Sequence, residues 1–239
     1  SLTFVLPLFL VNSLGLSTVR TGIVLAAMAL GAFFSGASAR HLATRVGATG
    51  VVVLGLTLEV IGVGLLAWVV GMQGSTWLIV LTLIVYGIGL GLASAQLTST
   101  VLHDIPTDQS GAGSATQSTV RQLGSALGAA IAGTALGSTM NHTIPDAVAS
   151  ISAVPTRLLD KLVHITEDSA GSAIPGLRNA SPNSPFIRPL GKSRGAVISS
   201  LETGFAHAAA WSIGLSSLFL VIGLLGAIMV RHEARKQVG

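Results

Sequence analysis

Residues Gly111–Ser138, GAGSATQSTVRQLGSALGAAIAGTALGS, carry a single charge, Arg121, in a run long enough to cross a bilayer. A span needs only ~20 residues at ~1.5 Å rise each. Gly124 and Gly128 stand four apart, as do Gly133 and Gly137, so small residues line up along the helix. Such stripes let a second helix approach closely where lipid supplies no hydrophobic push between helices. Arg121 lies one turn before Gly124 on the same side, pointing to protein and away from lipid. Two readings of it stand. A buried arginine beside a close-packing groove is costly to insert and marks a working part. Alternatively it snorkels to the nearby interface, or ties down a neighbouring helix end.

The rest of the chain suits a membrane. Half of its residues are hydrophobic and only 9% are charged, with mean hydropathy +0.76, which excludes an ordinary soluble domain. Glycine, 29 of 239 residues, is commoner in spanning helices than in soluble ones. The net charge of +4 does not indicate nucleic acid, because the basic residues are scattered with no aromatic-basic patch. The absence of cysteine excludes disulfides and thiolate metal sites within these residues.

Ser1 is not a natural start, and LTFVLPLFLV is about half a span by the ~20-residue rule, so the chain reads as a fragment beginning inside a helix. This opening half-helix, Leu2 to about Leu16, contains Pro7, which membrane helices tolerate when neighbours satisfy the freed carbonyl. Further spans are predicted over about Thr21–Ala39, Gly47–Gly71, Trp77–Leu102, Gly111–Ser138 and Ala208–Val230. Arg40–Gly47 is predicted as a compact basic turn, residues 71–76 as a tight loop and residues 103–110 as a polar loop. Trp68 is an interfacial anchor. Counting alternate short loops, Arg40, Arg45, Arg231, Arg235 and Lys236 share one side and only Arg20 occupies the other. The positive-inside rule puts the first group, and the C-terminus, in the cytoplasm of a plasma (inner) membrane protein, with residues 139–205 as a long loop outside. In that loop Leu158, Leu162 and Ile165, with Leu159 and Val163 beside them, form one face of a short amphipathic helix on the membrane or protein surface. Residues 169–193 read as aperiodic and mobile. Asn141-His-Thr143 and Asn179-Ala-Ser181 match glycosylation sequons, a weak signal.

No catalytic constellation is visible, so no enzyme, cofactor or metal site is expected. Gly87, Gly89 and Gly91 do not make a phosphate loop, since they sit inside an apolar span and follow no strand. Glu59 is the second charge of interest, near the middle of its span, where a carboxylate is expensive. Such a group can carry a coupling proton, or can bridge two helices as a neutral hydrogen-bonding group. Gln96, Gln117 and Gln122 are further polar groups that either face a cavity or hold helices together.

The order of these features resembles the C-terminal half of a major facilitator superfamily transporter. It is more closely similar to the fourteen-helix drug:proton antiporters, which commonly carry an Arg-Gln-Leu-Gly run on the penultimate helix. The residues are Gly111-x-Gly113 and Thr119-Val-Arg121-Gln122-Leu123-Gly124-x-x-Leu127-Gly128. Leu42-Ala-Thr-Arg45-x-Gly47 resembles the degenerate second copy of the superfamily's cytoplasmic loop. There Arg40 replaces the first glycine and Thr44 the aspartate, so the resemblance does not supply that loop's gating salt bridge. The resemblance implies an all-α, polytopic, six-helix transporter half with a truncated first helix, its N-terminal partner half and that half's proton-coupling acids lying elsewhere. It implies proton-coupled export of amphipathic or cationic compounds, with small-molecule substrate, protons and the lipid bilayer as partners and no nucleic acid. A facilitator of lipids, sugars or metabolites, and a non-transporting scaffold or receptor domain, are the rival expectations.

Overall fold

The computed structural model describes residues 2–102, 109–185 and 187–236, with backbone alone at 99–102 and 233–236. Every regular element among them is helical. The helices are α1 (Leu2–Asn12), α2 (Thr18–Val46), α3 (Ala48–Gly71), α4 (Thr76–Leu102), α5 (Ser110–Val148), α6 (Thr156–Asp168), α7 (Ala173–Asn179) and α8 (Arg194–Lys236). A 3-10 turn, Arg188–Ser193, leads into α8. Five helices, α2 to α5 and α8, are long and apolar enough to cross a membrane, and α1 is a shorter apolar helix. The all-α, polytopic half expected from the apolar runs is therefore present. The expected loop over 103–108 lies outside the described residues.

The connections are short. α2 runs through Val46, so Arg40 and Arg45 stand on helix rather than in the compact turn expected there. The reason is local: nothing from Arg40 to Val46 breaks a helix, and the break falls on Gly47. Gly47 takes φ +78°, a left-handed conformation that costs glycine little, while its amide still donates to the Ala43 carbonyl at 2.9 Å. After α3, the Gly74 amide donates to the Val69 carbonyl at 2.8 Å and that of Gln73 to Val70 at 3.0 Å. These bonds close the tight loop before α4.

α5 has 39 residues and α8 has 43, roughly 60 and 65 Å of helix against a ~30 Å hydrocarbon core. A long part of each therefore stands outside the hydrocarbon. The sequence ended the fifth span near Ser138 and began the last near Ala208, whereas the helices extend to Val148 and start at Arg194. The helix continues because Ala132, Leu136, Met140, Ile144 and Val148, every fourth residue, are all buried. Pro145 stands within this last stretch and supplies no amide to the turn that precedes it.

Residue packing divides into two units. One comprises Ser1–Gly22, Ala67–Gly74 and Ala129–Ile213. Its core draws on α1 (Leu6, Phe9, Leu10), α5 (Leu136, Met140, Ile144), α6 (Leu162), α7 (Ile174) and α8 (Leu201, Phe205), all buried. Segment 139–205, expected as a long loop, is thus largely helical and belongs to this core. α6 buries Leu159, Leu162, Val163 and Thr166, while Leu158 and Ile165 are only half-buried, a slight rotation of the expected face. The stretch read as aperiodic contains α7 and the 3-10 turn and buries Ile174, Leu177, Ile187 and Leu190. The other unit, Ile23–Leu66, Ser75–Gly128 and Gly214–Gly239, holds the residues singled out for transport.

Candidate functional site

α4 organises the second unit through its glycines. A Cβ at Gly87 would overlap the Met28 carbonyl, and one at Gly91 the Ser35 hydroxyl and the Ala32 carbonyl. Gly87 and Gly91, one turn apart, therefore lie directly on α2. Gly31 of α2 answers them, since its Cβ would come 2.9 Å from the Ile84 carbonyl oxygen. Gly89, between them in sequence and on the opposite face, presses on α3, where a Cβ would come 2.6 Å from the Glu59 amide. The apparent glycine-rich loop is a seam of close helix contacts.

Glu59 stands in that seam. On α3 it shares a face with Gly55 and Gly62, whose Cβ positions would come 2.6 Å from the Ala93 amide and 2.7 Å from the Tyr86 amide of α4. Glu59 is buried, and its carboxyl lies within electrostatic range of the Tyr86 phenol. Buried Gln96, further along α4, lines a cavity of about 650 Å³ with Arg40, Thr44, Gly36, Ala43 and Ala48. The structure thus brings Gln96 and Arg40 to one cavity. Arg45 is exposed at the end of α2.

The first part of α5 is different. Arg121, Gln122 and Gly124 are exposed, Gly128 is half-buried, and nothing stands within 4 Å of a Cβ placed at Gly124 or Gly137. Gly133 touches the Phe4 ring at 3.5 Å. Gln117 donates to the Thr98 hydroxyl of α4 at 3.2 Å, the helix-holding role weighed for it. Within these residues Arg121 does not point into protein. It, Gln122 and Gly124 form an open face on a helix long enough to span a membrane.

The family model of the Major Facilitator Superfamily matches residues 1–129, which is more than half of the chain and takes in α1 to α4 and the open face of α5. The chain belongs to the major facilitator superfamily. It is also similar to the riboflavin transporter RibZ of Clostridioides difficile (strain 630), 28% identical over 133 residues. That match covers 54% of this chain and 28% of the relative's length. The superfamily is one of multi-pass membrane transporters, and membership points to transport as the setting for these residues.

This facilitator chain also holds an ionic cluster that sequence reasoning missed, with its charged members beyond the residues the family model matches. Arg178 of α7 donates through Nε to Glu202 Oε1 of α8 at 2.9 Å. Its Nη2 donates to the same oxygen and to the carbonyls of Asn12 and Ser13 at 3.1 and 2.9 Å. The guanidinium fills the space a side chain would need at Gly15, φ +66°. Arg194 Nη2 donates to the carbonyls of Leu177, Arg178 and Ala180 at 3.2, 2.8 and 2.8 Å, satisfying the open end of α7. The residues lie 24 and about 165 positions apart, so no local pattern announces them. The available signal was a run of basic residues, Arg178, Arg188, Lys192 and Arg194, with Glu202 as the acid that follows them.

Proposed function

We propose that this chain is one six-helix bundle of a proton-coupled exporter of amphipathic or cationic compounds, of the fourteen-helix drug:proton antiporter family. A second bundle, the N-terminal half of the same transporter, completes it. The open face of α5 carries this reading. Arg121, Gln122 and the uncovered Gly124 leave a close-packing surface without a helix on it, inside a span where an uncovered arginine is costly. A partner bundle closing on that face in one state and leaving it in the other gives alternating access. Arg121 supplies a polar contact that differs between the two states. Its planar fork makes paired hydrogen bonds that lysine cannot.

Glu59 is read as a bridge in the α3–α4 seam, because its face is already filled by α4. Gln96 and Arg40 line a cavity large enough to admit water or substrate, and Arg45 and Gly47 end the basic stretch on the cytoplasmic side. The C-terminus is cytoplasmic and the segment 139–205 lies outside a plasma (inner) membrane, as the short-loop charge bias requires. A cysteine at Ser172 should then react with an impermeant thiol reagent on intact cells and one at Thr44 should not. The converse pattern inverts the topology.

A second reading, transport of a metabolite, is favoured by the similarity to a riboflavin transporter. Vesicles carrying the transporter that contains this chain distinguish the two. A proton gradient should drive efflux of a lipophilic cation, and a protonophore should stop it. Riboflavin movement without cation efflux would establish the second reading. The chain by itself should transport neither, since alternating access needs two bundles.

A further inference from the structure

Between the C-terminal end of α5 and α6 lies a groove of about 750 Å³, within the size range of small-molecule sites, roughly 300–1,000 Å³. Its floor is apolar: Pro145, Val148, Ala149, Ile151, Leu159 and Val163 line it. Val148, Leu159 and Val163 are only 5, 8 and 7% exposed, so the floor is set into the packed core and is not a loose surface. Above the floor stand Asp160, Glu167 and Asp168, with Asn141, Thr156 and His164. His164 Nδ1 lies 3.4 Å from Glu167 Oε2. Arg157 and Lys161, on the same helix, do not line the groove. Three carboxylates against one histidine give the rim a negative charge at neutral pH.

We infer that this groove binds a small amphipathic organic cation, its apolar body on the Val148–Leu159–Val163 floor and its charge against Asp160 and Asp168. A pocket that joins an apolar wall to charges of one sign holds an organic ion in one orientation. A neutral solute would make no use of the charge on Asp160 and Asp168, and a metal ion would have no use for the floor. Partly exposed carboxylates contribute modestly one by one, so the selectivity comes from the pairing of floor and rim. The choice of a cation rests on the exporter reading, which this groove deepens by adding a site outside the spans. Binding itself is tested apart from efflux.

The experiment uses the full-length transporter with Ala149→Cys, an exposed floor position, and follows the rate of reaction with a soluble maleimide. Tetraphenylphosphonium at about four times its Kd should slow the reaction about fivefold, the factor 1 + [L]/Kd. Triphenylphosphine oxide, an aryl phosphorus compound of similar build but neutral and one ring smaller, should not slow it. Adding Asp160→Asn and Asp168→Asn should weaken the phosphonium about tenfold and cut protection at the same concentration to about 1.4-fold. No protection by the phosphonium overturns the inference, and so does protection that survives both asparagine substitutions. Efflux of the same cation is measured separately. Normal efflux without protection defeats the groove alone, and charge-dependent protection without efflux defeats the exporter reading alone.

Discussion

In α4, Gly87 and Gly91 stand one turn apart with α2 laid against them, while Gly89 faces α3. In α5, Gly124 has the same kind of neighbour at Gly128, also one turn on, yet nothing approaches it within 4 Å. Both glycines of each pair belong to spanning helices of the same packing unit. What separates the two stripes is what surrounds them. α4 is apolar on either side of its glycines, with Ile84, Ile88 and Leu92 as neighbours in sequence, and its own chain supplies two helices to fill them. The corresponding part of α5 carries Gln117, Arg121 and Gln122 among small residues, a mixture that neither lipid nor a tight apolar seam would favour. A closed stripe contributes to folding, and the open one is, in the proposed function, the surface on which a partner bundle closes.

Substitution with leucine separates the two most sharply. Gly87→Leu should have the largest effect: the side chain would overlap the Met28 carbonyl, at a cost of ~3 kcal/mol or more. Little monodisperse protein should survive gel filtration in detergent. A normal yield would mean that the α2–α4 contact is not closed. Gly124→Leu should leave that yield unchanged and lower efflux about tenfold, equivalent to ~1.4 kcal/mol at a contact that must close during transport. Loss of folded protein there would show that the chain itself covers α5. On the same face, Arg121→Lys should fold normally and lose most efflux, and Arg121→Ala should do the same or worse. Near wild-type efflux with lysine would reduce Arg121 to an anchor.

Arg178→Ala tests a structural loss away from both stripes. It removes the Glu202 pair and two carbonyl contacts, a loss of ~1–2 kcal/mol once partial exposure is allowed for. Melting temperature should fall while efflux per folded molecule stays level. A drop in efflux at unchanged stability would make the cluster part of transport. The smallest effect is expected from Glu59→Gln, under about 1 kcal/mol, because the amide retains most hydrogen-bonding capacity. Proton-linked efflux should persist. Its complete loss with normal membrane expression would turn the α3–α4 seam from a packing element into a proton pathway, and the comparison with α5 would have to be redrawn.

Hydropathy and small-residue spacing in the sequence were enough for the all-α class, the five long spans with a shorter helix before them, and the tight loop after α3. Each follows from the bilayer's demand that backbone groups be satisfied within the segment. The sequence also singled out the Arg121–Gly128 run and the basic stretch to Gly47, because a charge inside an apolar run stands out. It put Arg121 against protein and residues 40–47 in a turn, however, where the structure has an exposed side chain and a helix through Val46. The tertiary structure alone decided which glycines are covered, since a stripe looks the same in sequence whether or not a helix lies on it. It also decided that residues 139–205 are largely helical. Ile174, Leu177 and Leu190 have too little local periodicity to announce α7 and the turn after it, and they are ordered by burial against elements far away in sequence. Arg178 meets Glu202 and the carbonyls of Asn12 and Ser13 for the same reason. Those partners are chosen by packing, and no window of sequence contains all of them.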